Sequence, residues 1–302
     1  MEEENDEGYV TFVEGEDDEA DDDQEYEEYS NYSREDTVEA FRDYYNFLTT
    51  MYMDQARIIE PPEDGWPEIT PATITTNLGK TEEVCALLRE LPYIEMDHYD
   101  EIDSTPACVF ADWNWIASRM NDGYKASSVK SMTEDNPDEV PPHVISLVHN
   151  TPDDPTIYLD TAEGYIYWLF CPDTIWNDPN LLHERAVVDE RDYPENEREW
   201  RGASFAWWIP HFFEVLKDQF LRLKWFPCDD KRLWDSTIPG SEDLHVRLRR
   251  VFYEHGWPDL ERYRKKECLE AVEREIAAWY ERKRQLKESA STEQQTESVT
   301  TV

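Results

Sequence analysis

Basic residues are scarce in this 302-residue chain: 29 lysines and arginines stand against 70 aspartates and glutamates, for a formal charge of −41. Such a charge repels phosphate instead of releasing counterions from it, which argues against a nucleic-acid or anionic-membrane surface. Also missing is any apolar run approaching the length of a bilayer span. The opening MEEENDEG has neither the basic stretch nor the apolar core of a secretory leader. Five cysteines, Cys85, Cys108, Cys171, Cys228 and Cys268, form an odd set without a C-x-x-C pair, which fits reduced thiols better than a disulfide framework. The expectation is a protein of the cytoplasm, with the nucleus as the alternative, that engages neither membrane nor nucleic acid.

What is present suffices for a core. Hydrophobic residues make up 39% and aromatics 13%, enough for one compact unit of roughly 200 to 250 residues with appended tails. Residues 1–40 hold 19 acids and one base, Arg34, a net charge of −18; residues 1–35 are therefore expected to be a disordered acidic tail. Tyr26, Tyr29 and Tyr32 interrupt its acid runs and are candidates for gripping a partner with a basic surface. A core is expected over 36–241, a helical extension over 242–288, and a frayed polar tail over 289–302.

Hydrophobic spacing predicts the elements. Val38, Phe41, Tyr45, Leu48 and Tyr52 recur at three-and-four spacing, a helix face with Ser33 and Asp36 as its start signal. IIEPPEDGWPEITP reads as an extended connector whose Trp66 packs back on the core. Thr81 caps a second helix with Val84, Leu87, Leu88 and Leu91 inside. CVFADWNWIASRM reads as a strand entering a short helix, and 121–142 as a polar surface loop. HVISLVHN and TIYLDTAEGYIYWLF read as a strand and a hairpin turned at Gly164, whose second arm is apolar on both faces and hence central. Phe205, Ile209, Phe212, Leu216, Phe220 and Leu223 form another helical stripe with Ser204 as its cap. Two more helices follow, the second starting after Pro258 with Asp259 as cap. The class is α+β: an antiparallel meander covered by helices.

No catalytic motif survives inspection. LGKTEEV ends like a phosphate-binding loop, but the glycine required five places before Gly79 is Ile74, so the segment reads as a helix cap. His183 and Glu184 lack a second histidine, since the position four beyond His183 is Val187. His143 and His149 share a face on a regular strand, but no spacing supplies further metal ligands. Ser204 lacks the flanking glycines of a nucleophile elbow. Asp160, Asp112 and the pair Asp153 and Asp154 could act as acids or bases if they converged. No metal, cofactor or catalytic residue is assigned. Most of the twelve tryptophans signal core packing, with an exposed minority such as Trp113 or Trp207 as candidate partner anchors.

The order helix, helix, meander, helix, with FRDYYNFL, Tyr158 to Asp160, Gly164 to Phe170, and Ser204 with Phe205, resembles the SUKH superfamily in its fungal cell-wall assembly regulator branch. The resemblance covers about residues 36 to 225. It implies a non-enzymatic recognition module in cell-wall or signalling regulation, and transfers no ligand or catalytic residue. Two other readings stand beside it: a hydrolase using Asp160 with His143 or His149, and a chaperone that binds basic proteins through its acidic tail. On the chain itself the basic targets for that tail are Arg262, Arg264, Lys265, Lys266, Arg282, Lys283 and Arg284, in a segment (245–288) carrying +3.

Overall fold

The structure is a computed structural model that describes residues 32–96, 101–134, 138–149 and 155–300, with side chains described as far as Ser289 except that of Glu184. The acidic tail to residue 31, with Tyr26 and Tyr29, lies outside the described residues, as do Asp153 and Asp154.

Helix α1 (Arg34–Met51) begins where Ser33 Oγ accepts the Asp36 N–H at 3.2 Å, and it buries Val38, Phe41, Tyr45 and Leu48 as the spacing predicts. The connector forms a short strand, β1 (Ile58–Ile59), and returns Trp66 to the core, its indole donating to the Leu91 carbonyl at 2.8 Å. In α2 (Glu82–Glu90), Thr81 Oγ1 accepts the Val84 N–H at 3.2 Å, and Val84, Leu87 and Leu88 are buried. β2 (Tyr93–Ile94) pairs with β1, and α3 (Trp113–Asn121) follows. The expected polar loop at 121–142 holds a further helix, α4 (Ala126–Thr133). Its polar composition hides two inward residues, Val129 and Thr133, which are enough to dock one face.

The main sheet joins β3 (Val144–Ser146), β4 (Thr156–Asp160), β5 (Tyr165–Leu169), β6 (Arg185–Ala186) and β7 (Ser204–Trp208), with the short helices α5 (Asp173–Trp176) and α6 (Arg198–Gly202) in its connections. Its order is β3-β4-β5-β7-β6 and every neighbouring pair is antiparallel. β5 is central, as its apolar faces require. Ile157, Leu159, Ile166, Trp168 and Trp207 join the main core, while Tyr158, Tyr167, Leu169 and Ala206 pack with Trp200 in a smaller cluster on the opposite face. Ser204 and Phe205 belong to strand β7, not to a helix. β7 pairs with β5 from Leu169↔Ser204 to Tyr165↔Trp208, and that ladder outweighs a helical spacing that Phe205 shares with Ile209 by coincidence. Helix α7 (Ile209–Leu221) starts with Pro210 in its first turn, where a missing N–H leaves no helix bond unmade.

β8 (Trp225–Pro227) and β9 (Leu233–Asp235) form a separate ribbon, and α8 (Glu242–Glu254) and α9 (Lys265–Thr300) close the chain. The last helix starts six residues later than Asp259. That residue instead holds a turn, its carbonyl accepting from Arg262 and Tyr263 N–H at 3.0 and 2.9 Å, so that the Tyr263 ring meets Trp257 at 5.0 Å. α9 continues past 288 through the stretch expected to fray. The pair is knitted to the body: Tyr263 Oη donates to the Met51 carbonyl and Trp257 Nε1 to that of Phe220. No helix among the described residues is long and apolar enough to cross a membrane.

At the hairpin, Gly164 has a φ of +79° and donates its N–H to the Asp160 carbonyl at 3.0 Å. A β-branched residue is strained there, so Gly164→Val is expected to destabilise by about 1 to 2 kcal/mol, read as a lower urea midpoint with an unchanged slope. An unchanged midpoint would reject the strained turn.

Candidate functional site

The carboxylate and histidine that suggest hydrolysis do meet. Asp160 Oδ2 lies 3.7 Å from His143 Nε2, because the end of β4 sits beside the entry to β3. The same oxygen, however, accepts from Arg201 Nη2 at 3.0 Å, and Oδ1 accepts the N–H groups of Ala162 and Glu163. Arg201 Nη2 also donates to Glu197 at 2.9 Å, and its guanidinium lies against the rings of Tyr193, Trp200 and Tyr167 at 4.0, 4.4 and 4.8 Å. Asp160 and Arg201 are buried, so this carboxylate is held by a fixed cation and by backbone donors beneath the surface. Such a carboxylate orders a turn and a sheet face. His149 is elsewhere, edge-on to Trp115 at 6.2 Å. His183 is exposed on a short turn. No group of three histidine, cysteine or acidic side chains among the described residues is placed to hold a metal ion.

Trp113 and Trp207 are core residues, 2% and 1% exposed, and offer no surface to a partner. Trp113 Nε1 donates to the Ser146 carbonyl at 3.0 Å. Tyr32, the one tail tyrosine within the described residues, donates to Glu83 Oε1 at 3.0 Å, and burial with the neighbouring Glu83 charge pushes its phenol well above its ordinary range. It therefore pins the root of the tail to the first turn of α2.

The concavity that the geometry offers lies between α3 and α4. Asp112 caps α3 by accepting the Trp115 N–H at 2.9 Å, which fixes the helix register. Trp113, Ile116, Ala117 and Met120 then face inward, while Trp115 and Arg119, one turn apart, share a flank with the guanidinium 5.6 Å from the indole ring. Across from this flank α4 brings Val129, Met132 and Thr133, and Tyr124 and Met96 complete a largely apolar cleft of about 240 Å³ with Glu101 and His149 in its lining. Cavities of about 150 Å³ with apolar walls take up benzene, so this one has room for a bulky apolar side chain. Arg119, Lys125 and Lys130, all on the α3–α4 hairpin, have no carboxylate within ion-pair distance among the described residues. Against them this hairpin (113–133) has one acid, Asp122, so it carries +2 in a chain at −41.

The far wall of the cleft is latched. Lys80, the residue that mimics a phosphate-loop lysine, is turned inward and pairs with Glu134 at 2.6 Å directly after α4; both side chains are 1% exposed. Burial depresses the Lys80 ammonium and the Glu134 charge opposes that shift. The sequence hides this pair because nothing local links residues 80 and 134. The Trp115–Arg119 flank follows from Asp112, which the sequence offered as an acid or base and which serves here as the cap of α3.

Removing one partner of the latch leaves a buried charge uncompensated, so Glu134→Ala is expected to destabilise by about 3 to 5 kcal/mol, whereas the double replacement Lys80→Met with Glu134→Leu should fall well short of that in urea unfolding. A single variant as mild as the double one would show the pair to be solvated. Burial raises the Asp112 carboxyl to about 6 against the pull of its backbone donors. A carboxyl raised in the folded state contributes stability that is full below about pH 4 and lost as pH rises through 6. Asp112→Asn keeps a capping oxygen and removes that titration. The variant should therefore gain about 3 kcal/mol relative to the parent between pH 4 and 7; a pH-independent difference would refute the raised carboxyl.

No protein-family model, curated protein or solved structure matches the chain.

Proposed function

We propose that the chain is a non-enzymatic protein-recognition module, regulatory in role, whose docking site is the α3–α4 cleft. The observation that carries this reading is the cleft itself: an apolar cavity of about 240 Å³, walled by Trp115, Ile116, Val129 and Met132 on two helices and braced by a buried ion pair. Side chains of that kind receive an apolar anchor from a partner. Asp160 and His143, the strongest catalytic pairing in the sequence, are committed to Arg201 and the sheet. The resemblance to the SUKH superfamily points to the same class. The net charge of −41 favours a partner with a basic surface, drawn in by long-range attraction. The five cysteines are free thiols, which supports an intracellular setting.

One observation favours a hydrolase instead: His149 and Glu101 line the same cleft. The two readings separate experimentally. Peptide-display selection against the full chain should enrich sequences sharing one bulky apolar residue, and Met132→Glu should weaken their binding at least tenfold while leaving cooperative unfolding intact. Enrichment indifferent to Met132→Glu, or lacking an apolar anchor, would overturn the recognition reading. Ester hydrolysis that disappears in both His149→Ala and Glu101→Gln would replace it with the catalytic one.

A further inference from the structure

We propose that the acidic N-terminal segment of this same chain docks on the α3–α4 cleft as a built-in competitor, with the apolar run Tyr9 to Val13 in the cavity and the acids Glu14 to Glu19 against Arg119, Lys125 and Lys130. This rests on the reading of the cleft as a docking site, and it names the occupant in the absence of a partner.

Three observations converge. The first is charge. The basic residues near the C-terminus that the sequence offers as the tail's target are largely engaged: Arg262 with Asp259 at 3.2 Å, Arg282 with Glu275 at 2.8 Å, Arg284 with Glu281 at 2.7 Å, and Lys265 with the carbonyls of Thr49 and Met53. The hairpin cations have no such carboxylate among the described residues; Arg119 lines the apolar cavity, and Lys125 and Lys130 lie at the start of α4 and within it, the helix that forms the opposing wall. Glu101 is the acidic member of the lining and opposes an anionic guest; Arg119 offsets it in the lining, and the hairpin as a whole carries +2.

The second is the chemistry of the segment. Residues 1–31 contain 16 acids and no base, and Tyr9, Val10, Phe12 and Val13 are the one place where large apolar residues cluster in it. Glu14, Glu16, Asp17, Asp18 and Glu19 follow at once. An apolar anchor with an acidic flank matches an apolar cavity on a hairpin of net positive charge, and a basic segment would not match that charge.

The third is where the tether leaves the body. Tyr32 is fixed on Glu83 in the first turn of α2. Just before that turn, a Cβ on Gly79 would lie 4.0 Å from Lys130 Nζ, and the Thr81 N–H donates to the Pro142 carbonyl. The root of the tail therefore neighbours α4. Eighteen residues lie between Val13 and Tyr32, a reach of up to about 65 Å when extended, against a radius of gyration of about 18 Å for a folded body of this size. The cleft is within range, and tethering makes the encounter intramolecular, with an effective concentration on the order of millimolar. A partner with a basic surface then has two effects: it draws the acids away from the hairpin, and it frees the cavity for its own anchor.

The test uses the full chain. Carbodiimide joins carboxylates to lysines in contact, so cross-linking and mass spectrometry at low salt should connect Glu14 to Glu19 with Lys125 and Lys130. The links should be intramolecular in a mixture of light and isotope-labelled protein. They should fall severalfold in about 0.5 M salt, where screening acts over a few ångströms. Phe12→Ser with Val13→Ser leaves the charge unchanged and should weaken them as well. A neutral probe, 1-naphthalenemethanol, reports on the cavity by saturation-transfer NMR: its binding should rise severalfold in the Phe12→Ser, Val13→Ser chain. Links that favour Lys266 or Lys287, or probe binding equal in the two chains, would overturn the proposal while leaving the docking reading intact. A probe that enters the cleft in neither chain, or whose entry Met132→Glu does not change, would remove both.

Discussion

Helix α1 rests on α7 through aromatic contacts, Phe41 edge-on to Phe213 at 4.7 Å and Tyr44 tilted against Phe213 at 5.2 Å, and the other elements hang from this pair. The rings bury large apolar areas, while their hydroxyls and the neighbouring backbone reach outward to segments that have little core of their own. Tyr44 Oη donates to the Ser104 carbonyl, and Tyr52 Oη to that of Asp103. Lys265 and Tyr263 return from the start of α9 to carbonyls at the end of α1. On its other side α7 lies under the sheet, Phe212 meeting Trp168 and Trp207. The sheet, the irregular stretch before α3 and the C-terminal helices thus share one aromatic centre instead of separate cores.

A chain with so few cations has to place them economically. Among the described residues, two are spent in the interior. Arg201 holds Asp160 and Glu197 under a roof of three rings, and Lys80 holds Glu134 behind the cleft. In both cases the pair joins elements far apart in sequence, β4 with α6 and the approach to α2 with the exit from α4. Hydrophobic replacement of such pairs is often neutral or stabilising, so their value here is better sought in fixing which segments lie together.

Short-range chemistry was legible in the sequence. Ser33 and Thr81 cap the helices assigned to them, the α1 and α2 stripes are buried, Gly164 turns the hairpin and β5 is central. Each depends on residues within a few positions of one another. What failed depends on distant partners. Ser204 and Phe205 have a helical neighbourhood but are captured by β5; α4 looks like loop until Lys80 and the core receive it; Trp113 and Trp207 look like anchors until Ser146 and α7 enclose them. For the site, Asp160 and His143 were found as residues, but Arg201, which decides what they can do, gave no signal at all. The cleft is intermediate, since the cap at Asp112 sets the Trp115–Arg119 flank, whereas the opposing wall is a tertiary fact.

The two margins of the main sheet are its shortest members, three residues in β3 and two in β6. A long bare margin displays a row of free N–H and carbonyl groups on which a foreign strand can grow. Here so short a ladder gives an incoming peptide little purchase, and Val187 at the end of β6 is 98% exposed, already clear of the sheet. Recognition by β-augmentation, with main-chain bonds supplying affinity regardless of sequence, is thereby disfavoured. The same short edges protect the molecule from templating its own aggregation.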